Sequence, residues 1–457
     1  MKRNIFSYRI FVYISFCAWL LLPGAKSSGF PAGSIGWHLK SPFQARANAD
    51  LVCKVKVLSV RQDKIVKGNL FPGQQDLLGM IATSKVLSIV KGECPDVIDI
   101  EFLRPKDNNS IIGHLPGELY TDLSENEVCL VFLKASGHNF KLNRIWSKTR
   151  VQPEIVKYNP DDIPDLKLLT EFIAGCDSQD ELVKLQAAEE LGYLGDALVR
   201  KLRLSMAEKE LFQRMVFGLI SAKEALRKMH SDEDIVIRNI SVISSFQADD
   251  SPGIERPLEL LRLNPSDFDV NDSLGKYGVR DFCVSSLQLR LLETMDSTTR
   301  RSVVDLKDGS RIRRKDGSPY PFRGVRGFDY ADFYRQALDC EAVRKSEQMR
   351  SAIANVLWIR YERASVPEMM KLLDDSKMYV RMAAVSALRK CINSDRSNSW
   401  EPRHFYDPAA AREYINNSVE KKLEDRQKDY QDNEQEYILY WKNWWHQHKN
   451  KFEHLGT

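Results

Sequence analysis

The chain has 457 residues, 43% of them hydrophobic and 28% charged, with 67 Lys and Arg against 63 Asp and Glu. A chain of this length exceeds what one core usually organises, so two or three domains are expected. Its eight cysteines are scattered with no two close together, which excludes zinc-ribbon, thioredoxin-like and c-type haem sites, since all of these need cysteines about two residues apart.

Lys2, Arg3 and Arg9 precede an uncharged apolar run from Ile10 to Leu22, followed by Pro23, Gly24 and small residues suited to cleavage. Residues 1–29 therefore read as a signal peptide, and the mature chain is expected to be secreted or periplasmic. Four of the 67 basic residues leave with the leader, so the mature chain carries 63 of each sign and its global charge names no partner. No later segment approaches the roughly 20 apolar residues of a membrane span.

Residues 30–160 read as a β-domain. In "ADLVCKVKVLSV", Leu51, Cys53, Val55 and Val57 alternate onto one face, and Lys54 and Lys56 take the other. "MIATSKVLSIVKG", "DVIDIEFL" and "NEVCLVFLK" follow the same pattern, separated by turn-rich pieces. Four or more short antiparallel strands predict a small barrel or sandwich.

These four segments resemble the bacterial relatives of the netrin-like, TIMP-like domain, over roughly residues 45–145. The resemblance implies an OB-like β-barrel. In the inhibitors of that family an N-terminal cysteine binds the protease zinc, whereas this mature chain is expected to begin near Ser28 or Phe30. Zinc-directed inhibition is therefore not carried over. Alternation places Cys53 and Cys129 toward the same interior. If their strands are neighbours, as the resemblance allows, an exported chain could join them in a disulfide; two unpaired buried thiols are the alternative.

From Asp161 the pattern becomes helical and repeats. "IPDLKLLTEFI" (163–173) matches "VPEMMKLL" (366–373), each with Pro and an acid in the first helical turn. "VKLQAAEEL" (183–191) matches "VRMAAVSAL" (380–388), pairing Val183 with Val380, Lys184 with Arg381, Ala187 with Ala384 and Leu191 with Leu388. A third copy, "IRNISVISS", starts at Ile237 and supplies Ser241 and Ser244 as its small residues. Small residues on one helical face let two backbones approach closely. The pattern resembles HEAT-like repeats, and predicts an irregular HEAT-like α-solenoid over residues 161–410, whose paired helices bury their apolar faces only by stacking.

A basic loop, about 265–332, interrupts the repeats. It holds Arg311, Arg313, Arg314, Lys315, Arg323 and Arg326, with Tyr320 and Phe322 interleaved, a set that could bind a polyanion. Asp267, Asp269 and Asn271 imitate the start of a calcium loop, but Asp272 and Gly278 stand where its Gly and Glu belong. Residues 411–457 are expected to form a charged helical cap, with Tyr437, Ile438, Trp441, Trp444 and Trp445 as its packing stripe. His446, His448 and His454 lack the i, i+4 spacing of a ligand pair.

There is no His-Glu-x-x-His, Gly-x-x-x-x-Gly-Lys or dinucleotide fingerprint, and neither a catalytic set nor a cofactor or metal is implied. The sequence thus predicts a multidomain α and β chain acting as an exported, non-catalytic protein-binding scaffold. Its partner would be an unidentified protein, with no nucleic acid and no membrane span. Polyanion binding by residues 300–326 is one alternative, and an enzyme with an active site formed between the domains is the other.

Overall fold

A computed structural model describes residues 49–66, 77–105, 122–137, 139–142, 148–204, 209–264, 284–300, 325, 327–359, 365–393 and 422–452. Within these the chain is of mixed class: a six-stranded sheet followed by helices to the end. The leader, the calcium-like stretch and the whole basic set (Arg311, Arg313, Arg314, Lys315, Arg323 and Arg326) lie outside the described residues.

The strands are β1 (Leu51–Val66), β2 (Leu77–Lys91), β3 (Val97–Pro105), β4 (Val128–Ser136), β5 (Asn139–Leu142) and β6 (Lys148–Arg150). Pairing runs β1-β2-β3-β5-β4, and β1 also pairs with β4, so these five strands form a ring with β6 attached to β4. All neighbours are antiparallel except β3 and β5. The alternating residues of β1 do what period two requires: Leu51, Cys53, Val55 and Val57 enter a core with Ile98, Ile100, Phe102, Cys129 and Val131.

The other face of the ring does not meet water where the helices begin. Val52, Val90, Leu130, Phe132 and Val151 belong to a second core that continues through the helices. Lys54 takes the opposite face from Cys53, as the alternation predicts, but the helices cover it completely.

The helices are α1 (Pro164–Gly175), α2 (Glu181–Leu204), α3 (Lys209–Met229), α4 (Ile235–Gln247), α5 (Glu255–Arg262), α6 (Val284–Arg300), α7 (Tyr330–Asp339), α8 (Glu341–Lys345), α9 (Glu347–Ile359), α10 (Val366–Leu372), α11 (Met378–Asn393) and α12 (Lys422–His448). Both matched segments start as their sequence dictates. α1 and α10 carry Pro in the first turn, with Asp165 and Glu368 near the N-terminal end of the helix dipole. Asp234 caps α4, accepting from the amides of Val236 at 2.8 Å and Ile237 at 3.1 Å.

Packing follows an order in which α2 lies against α4, α4 against α6, α6 against α9 and α9 against α11. α1 and α3 pack on α2, α5 on α4 and α6, and α10 on α9 and α11. Small residues set the closest approach. A Cβ on Gly195 of α2 would lie 2.6 Å from Cβ of Ala248, just past the end of α4. A Cβ on Gly192 would meet Cα of Ser244 at 2.9 Å. Val183, Ala187, Leu191, Val380, Ala384 and Leu388 are all buried, as the matched pattern requires.

α12 packs on α10 and α11 and buries Tyr437, Ile438, Trp441 and Trp444, with Trp441 and Trp444 edge to face at 5.7 Å. The aromatic stripe is thus packing surface. His448 stacks on Trp444, and its Nδ1 lies 2.7 Å from the carbonyl oxygen of that residue.

Candidate functional site

α3 carries two apolar faces where an ordinary surface helix has one. The sequence "KELFQRMVFGLISAKEALRKM" repeats apolar residues at helical spacing through Met215, Leu219, Ala222, Leu226 and Met229, all of which are buried. Phe212, Phe217 and Ile220 lie off that stripe and are 39%, 66% and 46% exposed. Val216, half-buried, sits between Phe212 and Ile220 at i, i+4 spacing and joins them into one strip. Gly218 fixes the orientation of the helix: a Cβ there would lie 2.9 Å from Leu169 of α1, so the backbone presses on α1 and turns Phe217 away from it. Lys209, Gln213, Ser221 and Glu224 are exposed around the strip and give it a polar rim. Contiguous exposed apolar side chains with a polar rim mark interaction surfaces, and aromatics anchor such surfaces most often.

The ring and α1 are tied by a buried charged network. Lys54 Nζ donates to Glu171 Oε1 at 2.5 Å and to the carbonyl of Glu154 at 2.6 Å. Both charged side chains are fully buried. Tyr158 donates its hydroxyl to Glu171 Oε2 at 2.8 Å and lies 3.2 Å from Ser88 Oγ on β2. Burial, reinforced by the Glu171 carboxylate, raises the Tyr158 phenol above its ordinary range and keeps it a donor. Every polar atom in this network is engaged by a protein neighbour, which makes it a structural tie.

A third constellation joins α3 to α4. His230 Nε2 lies 3.0 Å from Ser245 Oγ, and the backbone of Ser241 lies beside the ring. Burial holds the imidazole below its ordinary range, against the pull of the Asp250 charge. Asp250 is itself held by Arg227 in a two-pronged pair at 2.5 and 2.8 Å. His230 and Ser245 are buried, so the pair fixes the α3–α4 turn.

Of the residues singled out in the sequence, Cys53 and Cys129 are described. Their strands are neighbours and both side chains are buried in the ring core, but the register sets Cys129 opposite Val55 and Cys53 opposite Val131. Both thiols are free, and the register sets them on a diagonal instead of directly opposite each other. Among the described residues no group of three or more His, Cys, Asp and Glu is placed to hold a metal ion, and no helix is long and apolar enough to cross a membrane.

Phe212, Phe217, Ile220 and the Lys54 network escaped the sequence reading. For α3 the signal was present, because its apolar residues are too many for one stripe. For Lys54 there was none, since alternation names the face of a residue and not what covers it. No protein-family model matches the chain, and no curated protein matches it.

Proposed function

We propose that the chain is an exported, non-catalytic scaffold that binds another protein through its helical half, with an OB-like, netrin-like β-domain preceding a HEAT-like array. The observation that carries the binding reading is the strip of exposed Phe212, Phe217 and Ile220 on α3, bridged by half-buried Val216. An apolar strip of this kind is costly to leave in water and is offset when a partner covers it.

The HEAT-like reading draws support from a recurring charged rung. Lys184 of α2 pairs with Asp232, just before α4, at 2.9 Å. Arg350 of α9 pairs with Asp375, just before α11, at 2.5 Å. In both cases a basic residue on one helix holds the acidic turn leading into the next helix of the row, as repeated units would. The OB-like reading is supported by the β1-β2-β3-β5-β4 ring of pairings.

The test is affinity capture from the source cells with the full mature chain as bait, beside the Phe217→Ser, Ile220→Ser double variant. Both positions are exposed, so the double variant should keep its fold within a fraction of a kcal/mol, on the order of 0.5 kcal/mol per site. A protein retained by the unaltered chain and lost at least about tenfold by the variant is the expected result, as hot-spot truncations cost 2 kcal/mol or more. Identical captured sets would overturn the assignment of this face.

A further inference from the structure

We propose that Cys53 and Cys94 form an oxidisable dithiol, which a disulfide oxidant converts into a bridge between β1 and the β2–β3 connection. The two thiols lie within interaction range of each other: Cys53 is fully buried in the ring core, and Cys94, half-buried, packs against that core. The backbone explains the meeting. β1 and β2 stay paired to Val52 and Lys91, past the point where Val86 turns to bond Asp96 at the base of β3. Gly92 then reverses the chain at φ +83°, so close to β1 that a Cβ would lie 2.6 Å from the Asp50 carbonyl. Only glycine is at ease in that conformation and that space. Past this turn the chain runs on to β3, and Cys94 packs against the core that holds Cys53.

The order of reaction follows from exposure. Cys94, as thiolate, attacks the sulfur of an oxidant disulfide; the S–S bond of the oxidant breaks, a Cys94–oxidant bond forms and one oxidant thiol departs. Cys53, deprotonated in turn, attacks the Cys94 sulfur and expels the second thiol. The protein loses two electrons and two protons, and the oxidant disulfide is reduced to two thiols. Burial raises both thiols above their ordinary range, so the exchange should quicken as pH rises. This inference is independent of the α3 binding face. It replaces the Cys53–Cys129 pairing with a different partner for the same β1 cysteine.

The experiment uses the folded full chain treated with oxidised glutathione, with remaining thiols alkylated in denaturant and tryptic peptides mapped by mass. Cys53, Cys94 and Cys129 fall in separate peptides, 47–54, 92–106 and 107–134. A linked 47–54/92–106 pair, lost on reduction, is the expected product. A 47–54/107–134 pair would overturn the proposal, as would free Cys53 with glutathione persisting on Cys94. Cys129→Ala should still give the 47–54/92–106 pair. In Cys94→Ser, Cys53 should remain an alkylatable thiol, and its glutathionylation at the unaltered rate would refute entry through Cys94.

Discussion

Lys54 and Glu171 offer a sharp energetic test, because each is fully buried and each has the other as its counter-charge at 2.5 Å. Glu171→Leu leaves the Lys54 ammonium with only the Glu154 carbonyl, and Lys54→Met leaves the carboxylate with only the Tyr158 hydroxyl. Orphaning one member of a buried pair costs about 3–5 kcal/mol. A loss of that size is a large share of a typical stability of roughly 5–15 kcal/mol. Replacing both, Lys54→Met with Glu171→Leu, removes the buried charges together. What remains is two lost hydrogen bonds, at the Glu154 carbonyl and the Tyr158 hydroxyl, about 1 kcal/mol each. Tyr158 keeps Ser88 within reach. The double variant should therefore unfold at higher urea than either single variant, with a coupling energy above about 2 kcal/mol in the cycle. Single losses that simply add, each below about 1 kcal/mol, would refute the view that this pair is a desolvated tie between the ring and α1.

The Lys54 network also shows where sequence reading stops. Alternation in "LVCKVKV" is a local property of the strand, so the side facing each residue was legible from order alone: Cys53 in the ring core, Lys54 on the other face. What covers that other face depends on a helix more than 100 residues later, and no local pattern carries that information. The buried faces of the matched helices were legible for the same reason as the strands, because burial of Val183, Ala187, Val380 and Ala384 follows from spacing within one helix. Gly192 and Gly195 carry no such local signal, because glycine in a helix reads locally as a weak propensity and becomes a contact only once α4 lies against it. The same limit applies to the thiols: facing the same interior is local, but the partner of Cys53 depends on how a turn at Gly92 returns.

Three further outcomes are expected. Gly195→Ala should destabilise by up to about 2 kcal/mol, an overpacking cost of roughly 1–3 kcal/mol against Ala248 set against a gain of about 1 kcal/mol in helix propensity; a raised thermal midpoint would contradict the close approach of α2 to α4. Ala384→Leu, at a fully buried position on α11 where α9 packs, should cost about 1–3 kcal/mol by forcing the helices apart, and an unchanged melting temperature would refute it. The last outcome concerns pH. Burial lowers the folded-state value of His230 below its ordinary 6.5, so the unfolded chain takes up the proton first as pH falls. The stability that the neutral ring contributes is complete above about pH 6.5. It declines below that value and levels off once the folded value has been passed. Urea midpoints measured at pH 7.5 and 5.5 should therefore drop more for the unaltered chain than for His230→Gln, which cannot take up that proton. The variant is expected to be less stable at both pH values, because it loses the fit against Ser241 and Ser245, and it is the difference between the two drops that reports the histidine. Equal drops would show that His230 titrates alike in the folded and unfolded chain, and would remove the argument that its ring is held neutral at the α3–α4 turn.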